Sequence, residues 1–248
     1  MSADATICPL WPDPSPAPVD DETLVARYGR ADSPRLRMNF VTSIDGAVSV
    51  DGYSAGLSGV PDKRVFALLR MLCDALLVAA GTLRQEGYRA LRLDPRRRAW
   101  RRAHGLTDYP TLVVVSASLD LDPHQAAFAD APVRPVVLTR DGPPIPSGLA
   151  EVAEVVRCGV AEVDLAAGLA VLRERGLDQV LCEGGPRLFG ALTTADLVDE
   201  VCLSVAPLLA GPGAGRITAG DPSPVRGLPL RHVLLAGDGT LMLRYARE

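Results

Sequence analysis

Short apolar segments alternate with amphipathic segments along most of this chain, and that alternation limits the folds open to it. Residues 36–42 and 75–79 have the composition of buried strands, and residues 60–72 between them carry apolar side chains at helical spacing. The alternation continues with strands predicted over 111–116, 135–139, 153–157 and 179–182 and a helix predicted over 163–175. This pattern predicts an α/β fold with a mostly parallel central sheet and helices on both faces.

The C-terminal part of the chain departs from that alternation. Strands are predicted over 200–206, 231–236 and 240–245, with little room for a helix between the last two. Gly237-Asp238-Gly239 between them is typical of a hairpin turn. The sheet is therefore expected to end in an antiparallel C-terminal hairpin.

The N-terminal part is rich in proline. Residues 1–19 carry prolines at positions 9, 12, 14, 16 and 18, which predicts an extended arm without ladder hydrogen bonds. Asp20 or Asp21 is expected to begin a short helix that ends near Tyr28. Residues 1–34 are thus predicted to be a proline-rich arm with a short helix, and residues 35–248 the main domain. Within that domain, the arginine-rich span 89–110 is predicted to be a surface excursion and a candidate lid.

Composition and charge exclude several classes of function. With 248 residues, 48% of them hydrophobic, the chain can bury a large core, and a formal net charge of -4 without a basic block argues against nucleic acid as a main partner. No apolar run approaches the roughly 20 residues that cross a bilayer, and no secretion signal is seen, so a soluble cytoplasmic protein is expected. Five scattered cysteines and three distant histidines predict reduced structural thiols and no metal site.

A first candidate site follows the strand at 36–42, where Val41-Thr42-Ser43 leads to Asp45 and Gly46. Ligands of open α/β sheets bind outside the carboxyl ends of the strands, so these polar atoms stand where a ligand would lie. The alternative is that Asp45-Gly46 is only the tight turn of a hairpin to residues 47–50. The segment alone is compatible with both interpretations.

A second candidate is Gly81-Thr82, which follows the strand at 75–79 directly. With Thr82 as N-cap, a helix would begin here and its first backbone N–H groups would be free to bind a phosphate. A capping box formed by Thr82 and Gln85 is also an ordinary helix start. The residues are therefore compatible both with a phosphate-binding site and with an ordinary helix start.

The third candidate, residues 180–191, is the most specific. A buried strand ends in Glu183 and is followed by Gly184, Gly185 and Pro186. The glycines allow a ligand to approach the backbone closely, and proline at the first helical position begins a helix whose N-terminus attracts an anion. An ordinary turn from a strand into a helix needs only one glycine, so the glycine pair favours a functional role. Glu183 beside the pair could then serve in hydrogen bonding or proton transfer. Two glycine-opened helices on one sheet suggest a dinucleotide across the strand ends.

Together these segments resemble the reductase domain of riboflavin biosynthesis, the dihydrofolate-reductase-like partner of a bifunctional deaminase-reductase. The resemblance runs from about Arg35 to the C-terminus and is carried by blocks at 43–46, 73–82, 183–185, and 197–200 followed by 206–211. The zinc deaminase half, with its His-x-Glu and Pro-Cys-x-x-Cys pattern, is absent. The chain is therefore similar to a free-standing pyrimidine reductase.

This resemblance implies a dihydrofolate-reductase-like fold and NADPH-dependent reduction of 5-amino-6-(5-phosphoribosylamino)uracil to the ribitylamino product. It assigns cofactor contacts to Val41, Gly81, Thr82, Glu86, Ser116, Gly184, Gly185, Pro186, Arg187, Leu188, Phe189, Gly190 and Ala191. It assigns substrate contacts to Ser54, Arg70 and Glu183, with Arg70 holding the substrate phosphate bidentately. Because hydride transfer leaves a charge to be protonated, Glu183 and then Asp45 are the candidates for proton delivery or for holding the uracil and ribose hydroxyl groups.

Two departures from that family bear on the substrate. Ala47 stands where members often carry a basic residue, and Gly56 and Leu57 stand where many carry a tryptophan. A dihydropterin or dihydrofolate reductase is therefore the alternative enzyme, and a non-catalytic NADPH-binding protein is the alternative from another class. The resemblance also implies a homodimer, for which the apolar residues 201–209 are a candidate sheet edge. Arg84 and Arg140 are candidates for binding the ribose 2′-phosphate.

Overall fold

A computed structural model describes residues 5–247, which form one mixed sheet flanked by helices. The strands are β1 (Ile7–Trp11), β2 (Arg35–Ser43), β3 (Ala75–Ala79), β4 (Thr111–Val115), β5 (Val136–Thr139), β6 (Glu154–Arg157), β7 (Gln179–Cys182), β8 (Glu200–Ala206), β9 (Leu230–Ala236) and β10 (Leu241–Ala246). The helices are α1 (Asp21–Tyr28), α2 (Val60–Leu72), α3 (Ala80–Gln85), α4 (Pro95–Ala103), α5 (Ala126–Ala129), α6 (Leu149–Val152), α7 (Leu165–Glu174) and α8 (Pro186–Thr194).

The ten described strands lie in the order β1-β9-β10-β8-β2-β7-β3-β4-β5-β6. From β8 to β6 neighbouring strands are parallel, whereas β8, β10, β9 and β1 pair antiparallel. Alternate residues of β3 enter two core clusters, Leu76 and Val78 on one face of the sheet and Ala75 and Leu77 on the other. The predicted α/β class, the mostly parallel sheet with helices on both faces and the antiparallel C-terminal hairpin are confirmed.

Residues 1–4 of the predicted arm lie outside the described residues, and for Ile7–Trp11 the prediction of no ladder hydrogen bonds is wrong. β1 pairs antiparallel with β9, with Ile7 opposite Ala236 and Pro9 opposite Leu234. β1 is an edge strand of the sheet, where proline is tolerated because its missing N–H need not serve a second neighbour. The extended conformation was therefore predicted correctly for this segment, but its pairing was not.

The short helix α1 begins as predicted, because the Asp20 carboxylate accepts a hydrogen bond from the Thr23 N–H at 2.8 Å. Leu24 and Tyr28 of this helix are buried in the same core cluster as residues of α2. The division of the chain at residue 34 stays a prediction. Within the described residues, β1 and α1 share the sheet and the core of the remainder.

The span 89–110 lies largely at the surface, as predicted, but one of its arginines is buried and anchors it to the core. It contains α4, whose Arg101 is 1% exposed. Arg101 donates from Nη1 to the Met71 carbonyl at 2.8 Å and from Nε to the Thr107 carbonyl at 2.6 Å. A buried guanidinium thus satisfies carbonyl groups at the C-terminal end of α2, where a cation is favoured. This contact anchors the segment to the core, and a role as a lid stays a prediction.

Residues 201–209 do not provide a sheet edge. β8 covers most of that run and pairs with β2 on one side and with β10 on the other. The edges of the described sheet are β1 and β6. A homodimer stays a prediction and needs another surface.

All five cysteines are free thiols, as predicted. In the described part of the chain, no helix combines the length and apolar composition needed to cross a membrane. Between residues 5 and 247, no group of three or more His, Cys, Asp or Glu side chains is arranged to hold a metal ion.

Candidate active site

A cavity of about 510 Å³ opens where strands β2, β3 and β7 end. Its walls come from the end of β2, from α2, from the segment that includes α3 and Tyr88, and from the start of α8. The predicted site residues that line it are Val41, Ser54, Arg70, Thr82, Glu86, Glu183, Gly185 and Pro186. The fold therefore brings residues from distant parts of the sequence to one place at the carboxyl ends of parallel strands.

Glu183 is a buried carboxylate in this cavity wall, with a side chain that is 3% exposed. Its Oε1 accepts a hydrogen bond from Arg70 Nε at 2.7 Å, and its Oε2 accepts one from Arg70 Nη2 at 2.6 Å. The Tyr88 hydroxyl also donates to Oε2, at 2.6 Å. Glu183 thus accepts three hydrogen bonds and fixes the direction of Arg70 and Tyr88.

These contacts set the protonation of both partners. Burial acts to lower the pKa of Arg70, but the charge and the hydrogen bonds of Glu183 outweigh burial and raise that pKa. Burial first, and then the charge of Glu183, raise the pKa of Tyr88 well above its ordinary value. Arg70 is therefore a fixed cation and Tyr88 a neutral donor. The guanidinium fork that was predicted to hold a phosphate is occupied by Glu183 in this structure, which leaves Nη1 for a ligand.

Ser54 and Glu86, predicted on the substrate side and the cofactor side, touch each other. The Ser54 N–H donates to Glu86 Oε1 at 3.0 Å. Gln85, one residue earlier, donates from its side chain to the Gly52 carbonyl. The end of α3 and the loop around Ser54 therefore form one continuous wall.

α8 begins at the cavity with Gly185 as N-cap and Pro186 in its first turn, as predicted. A β-carbon at Gly184 would lie 2.6 Å from the Phe40 ring, and one at Gly185 would lie 2.5 Å from Thr82 Oγ1. Gly184 also has a φ of +93°, which favours glycine. Both glycines are thus required by close packing, and Gly185 leaves the N-terminal N–H groups of α8 without a side-chain cap. The peptide bond between them is cis.

The rest of the predicted cofactor segment does not reach the cavity with its side chains. Leu188 and Phe189 are buried, and the Phe189 ring stacks on Phe40 with centroids 5.1 Å apart. These two residues anchor α8 to the sheet. The other predicted cofactor residues that do not line the cavity are Gly81, Ser116, Gly184, Arg187, Gly190 and Ala191. Their contacts with NADPH stay predictions.

Asp45 lies outside the cavity lining and binds the loop after β8. Its carboxylate accepts hydrogen bonds from the Ala210 N–H at 3.1 Å, from the Gly211 N–H at 2.8 Å and from the Ser43 hydroxyl. The Ser43 hydrogen bond, followed by the backbone ones, lowers the pKa of Asp45. A carboxyl group with a lowered pKa is a poor acid at neutral pH, so the structure argues against Asp45 as the proton donor.

Two local details differ from the sequence prediction. The turn at Asp45-Gly46 does not join two strands, because the described residues that follow it form only a single bridge between Val50 and Tyr53. α3 has Ala79 as its N-cap, so Thr82 lies inside the helix and the predicted capping box is wrong. The Ala79 N–H donates to the Gly184 carbonyl at 2.7 Å, which holds the end of β3 and sets the helix start.

Asp62, Phe66 and Tyr88 also line the cavity, although none was predicted as a site residue. Asp62, Phe66 and Arg70 are spaced four residues apart on α2 and therefore share one face. The guanidinium carbon of Arg70 lies 4.1 Å from the Phe66 ring centroid and 5.5 Å from that of Tyr88. The four-residue spacing back from Arg70 is a signal that could have found Asp62 and Phe66. Tyr88 follows α3 in a loop and has no such signal.

Comparisons with known proteins point to one kind of enzyme. Residues 34–242 match the RibD C-terminal domain family. The chain is 31% identical over 181 residues to 2,5-diamino-6-ribosylamino-4(3H)-pyrimidinone 5′-phosphate reductase of Methanothermobacter thermautotrophicus. The aligned region covers 72% of this chain and 80% of that protein. It is 31% identical over 194 residues to the riboflavin biosynthesis protein RibD of Mycobacterium tuberculosis, which covers 77% of this chain and 47% of that protein.

Solved structures give the same result for the fold. A pyrimidine reductase-like protein from Corynebacterium diphtheriae aligns with a TM-score of 0.82 and 26% identity, over 91% of this chain and 99% of that one. The resemblance carried by the four sequence blocks is confirmed by the family match, which spans most of the chain. We conclude that this chain belongs to the RibD C-terminal domain family.

Proposed function

We propose that this chain is an NADPH-dependent reductase of a 5-amino-6-(5-phosphoribosylamino)pyrimidine, either the uracil or its 2-amino counterpart, and that it forms the ribitylamino product. The Methanothermobacter relative is named as a reductase of such a compound. One observation carries the proposal: the open N-terminus of α8 and the Glu183–Arg70 pair share a single cavity. The first suits an anionic dinucleotide and the second suits a polar substrate beside it.

The start of α8 fits the diphosphate of a nicotinamide cofactor. The N–H groups of Gly185, Arg187 and Leu188 belong to the first turn, where helix N–H groups lack partners within the helix and the dipole favours an anion. Any side chain at Gly185 would collide with Thr82, so the approach to these groups is kept free. The bound cofactor supplies a hydride, and the protein supplies binding and orientation.

The residues around Arg70 are suited to hold the substrate. The rings of Phe66 and Tyr88 flank the guanidinium, and Glu183 fixes its orientation through two hydrogen bonds. We assign Glu183 to the contact with substrate hydroxyl groups, and Arg70 to a contact through its remaining Nη1. These charges are held in fixed positions in the cavity wall. They can therefore orient the reacting carbon of the substrate next to a hydride donor.

We also propose that the enzyme is cytoplasmic and acts as a homodimer. The sequence resemblance supports the homodimer, and the cytoplasmic location rests on the expectation drawn from the sequence. Because β8 lies inside the sheet, the dimer would use a surface other than residues 201–209.

An NADPH-oxidation assay tests the proposed function. The oxidants to compare are 5-amino-6-(5-phosphoribosylamino)uracil, its 2-amino counterpart and dihydrofolate. We expect oxidation of NADPH by at least one phosphoribosylated pyrimidine, at a kcat/KM well above that for dihydrofolate. Oxidation by dihydrofolate alone would favour a folate reductase. Binding of NADPH without turnover on any of the three would favour a binding protein.

A variant tests the cofactor site separately. Gly185→Ala would place a methyl group 2.5 Å from Thr82 Oγ1 and displace the start of α8. We expect the Kd for NADPH to rise about tenfold or more, because the displaced N–H groups would no longer align with the diphosphate. Gly227→Ala is the matched control, because a β-carbon there meets nothing within 4 Å. An unchanged Kd in Gly185→Ala would mean that the cofactor does not use this end of α8.

A further inference from the structure

α2 presents a second buried carboxylate to the cavity. Asp62 is 6% exposed and lines the cavity together with Ser58 and Phe66. It precedes Arg70 by eight residues, which corresponds to about 12 Å along the helix axis. Asp62 and the Glu183–Arg70 pair are therefore far enough apart to contact different parts of one substrate.

The contacts of Asp62 leave it able to accept more hydrogen bonds. The Ser58 hydroxyl donates to Oδ2, and the Ser204 hydroxyl of β8 provides a second hydrogen bond. A carboxylate has about four lone-pair positions, so about two remain for a ligand. Among the described residues, no Lys, Arg or His side chain lies within 4.0 Å of the Asp62 carboxylate. A buried carboxylate in that state is stabilised by a ligand that donates hydrogen bonds.

We propose that Asp62 binds the pyrimidine ring of the substrate and selects a 2-amino-4-oxopyrimidine over a uracil. This inference rests on the proposed function and concerns the one ring position, C2, at which the two candidate substrates differ. The 2-amino ring presents N3–H and the amino group side by side, and these two donors match the two carboxylate oxygens. Uracil presents N3–H beside the O2 carbonyl, an acceptor that would face a carboxylate oxygen and leave both unpaired.

The neighbours of Asp62 fit this orientation of the substrate. Phe66 stands one helical turn further along the same face and lines the cavity, so its ring is placed to pack against a heterocycle bound at Asp62. Arg70 and Glu183 follow one turn later, on the side where the sugar would extend. Along α2, the hydrogen-bond acceptor Asp62 is therefore followed by the aromatic ring of Phe66 and then by Arg70, which is paired with Glu183.

Two substrates that differ only at C2 test the inference. Asp62→Asn keeps the size of the side chain but replaces one acceptor oxygen by an amide NH₂, which can donate to O2 of uracil. Calorimetry without NADPH gives the Kd of each substrate, and the assay with NADPH gives kcat/KM. We expect wild type to prefer the 2-amino substrate at least about tenfold in both measurements, and Asp62→Asn to lose or reverse that preference. Asp221→Asn, exposed and outside the cavity lining, is the control.

The wild-type protein offers a measurement that does not depend on the folding of Asp62→Asn. Burial most of all, and then the charge of Asp238, raise the pKa of Asp62, against the lowering effect of its hydrogen bonds and of Lys63. Protonation turns one acceptor oxygen into a donor, so the 2-amino preference should decrease as the pH falls towards that pKa. The titratable groups facing Asp62 are Lys63 of α2, Asp238 of the β9–β10 turn and Tyr28 of α1. Asp238→Asn removes the neighbouring carboxylate and is the control for its charge.

The outcomes distinguish this inference from the proposed function. Reduction of either pyrimidine with no 2-amino preference in wild type, or with the same preference in Asp62→Asn, would overturn the role of Asp62 and leave the proposed function standing. A preference that does not change with pH down to the acid limit of folding would also overturn that role. If neither pyrimidine is bound or reduced, both the function and the role of Asp62 are wrong.

Discussion

Two glutamates are buried beside arginines in this molecule, and they differ in what lies around them. The Glu183 side chain is 3% exposed and pairs with Arg70 in the wall of the cavity. The Glu200 side chain is 0% exposed and pairs with Arg37 at 2.6 Å and with Arg244 at 2.8 Å inside the sheet. Glu200 joins three adjacent strands, because it belongs to β8, Arg37 to β2 and Arg244 to β10.

The difference shows how one kind of ion pair serves two purposes. Burial acts to raise the pKa of Glu200, but the charges and hydrogen bonds of Arg37 and Arg244 outweigh burial and lower it. Glu200 is not among the residues that line the active-site cavity. Arg70, by contrast, is 24% exposed and borders that cavity. We therefore infer that Glu200 holds the antiparallel part of the sheet to β2 and that Glu183 orients groups for a ligand.

The largest expected effect is on folding, in Glu200→Gln. Removing this charge leaves the buried Arg37 and the half-buried Arg244 without their counter-charge, and breaking a buried pair in this way costs about 3–5 kcal/mol of unfolding free energy. Urea denaturation followed by circular dichroism measures that change. The fraction that remains folded should keep its turnover with NADPH, because Glu200 is not part of the cavity wall.

The acid sensitivity of the fold provides the control for Glu200. Its pKa in the folded protein lies below the ordinary value of 4.5. Its contribution to stability is therefore fully present above that ordinary value and is lost as the pH falls through the lower, folded-state pKa. Glu200→Gln should lack this part of the acid dependence. An equally steep loss of stability with acid in wild type and variant would contradict the role given to Glu200.

Glu183→Gln should show a different pattern, with a large effect on turnover and a smaller effect on folding than Glu200→Gln has. We expect kcat to fall about hundredfold, within the usual range for loss of a positioned acid–base or orienting group, because Arg70 and Tyr88 lose the charge that aligns them. The unfolding free energy should change less than in Glu200→Gln, because Glu183 leaves one arginine without its counter-charge rather than two. The Kd for NADPH should stay close to that of wild type. Unchanged turnover would remove Glu183 from the mechanism.

The same contrast explains how much of the fold the sequence predicts. β3, β7 and β8 begin and end where predicted, because apolar residues make up most of each strand. β1 escaped prediction because Pro9 is acceptable only at an edge, and the position of an edge is a property of the whole sheet. α4 was not predicted, because its arginines indicate an exposed segment. Arg101 is instead buried, and it donates a hydrogen bond to the carbonyl group of the distant residue Met71.

The residues of the candidate site likewise fall into those that a local sequence pattern predicts and those that only packing brings together. Glu183, Gly185 and Pro186 carry a local signal, in which a strand end, a glycine pair and a helix start follow one another. The pairing of Glu183 with Arg70 has no such signal, because the two residues are 113 positions apart in sequence. The surroundings of Asp62 depend likewise on distant residues, namely Ser204 of β8 and the charge of Asp238 in the β9–β10 turn. Patterns along the chain find single site residues, and packing determines which of them meet.

Tyr88→Phe has the smallest expected effect and tests how Glu183 acts. The change removes only the hydroxyl that donates to Glu183 Oε2 at 2.6 Å and keeps the ring beside Arg70. A hydrogen bond to a charged group contributes about 1.5–3 kcal/mol, but Arg70 still binds both carboxylate oxygens. We therefore expect kcat to fall about fivefold to tenfold, and the unfolding free energy to change by less than about 1 kcal/mol.

The double variant Tyr88→Phe with Glu183→Gln decides between two roles for Tyr88. If the Tyr88 hydroxyl acts by positioning Glu183, its loss matters little once Glu183 has lost its charge, so the combined loss of kcat should be smaller than the product of the single losses. Independent, multiplicative losses would mean that Tyr88 contacts the substrate itself. The difference between Glu183 and Glu200 would then come from access to the cavity rather than from an effect of Glu183 on Tyr88.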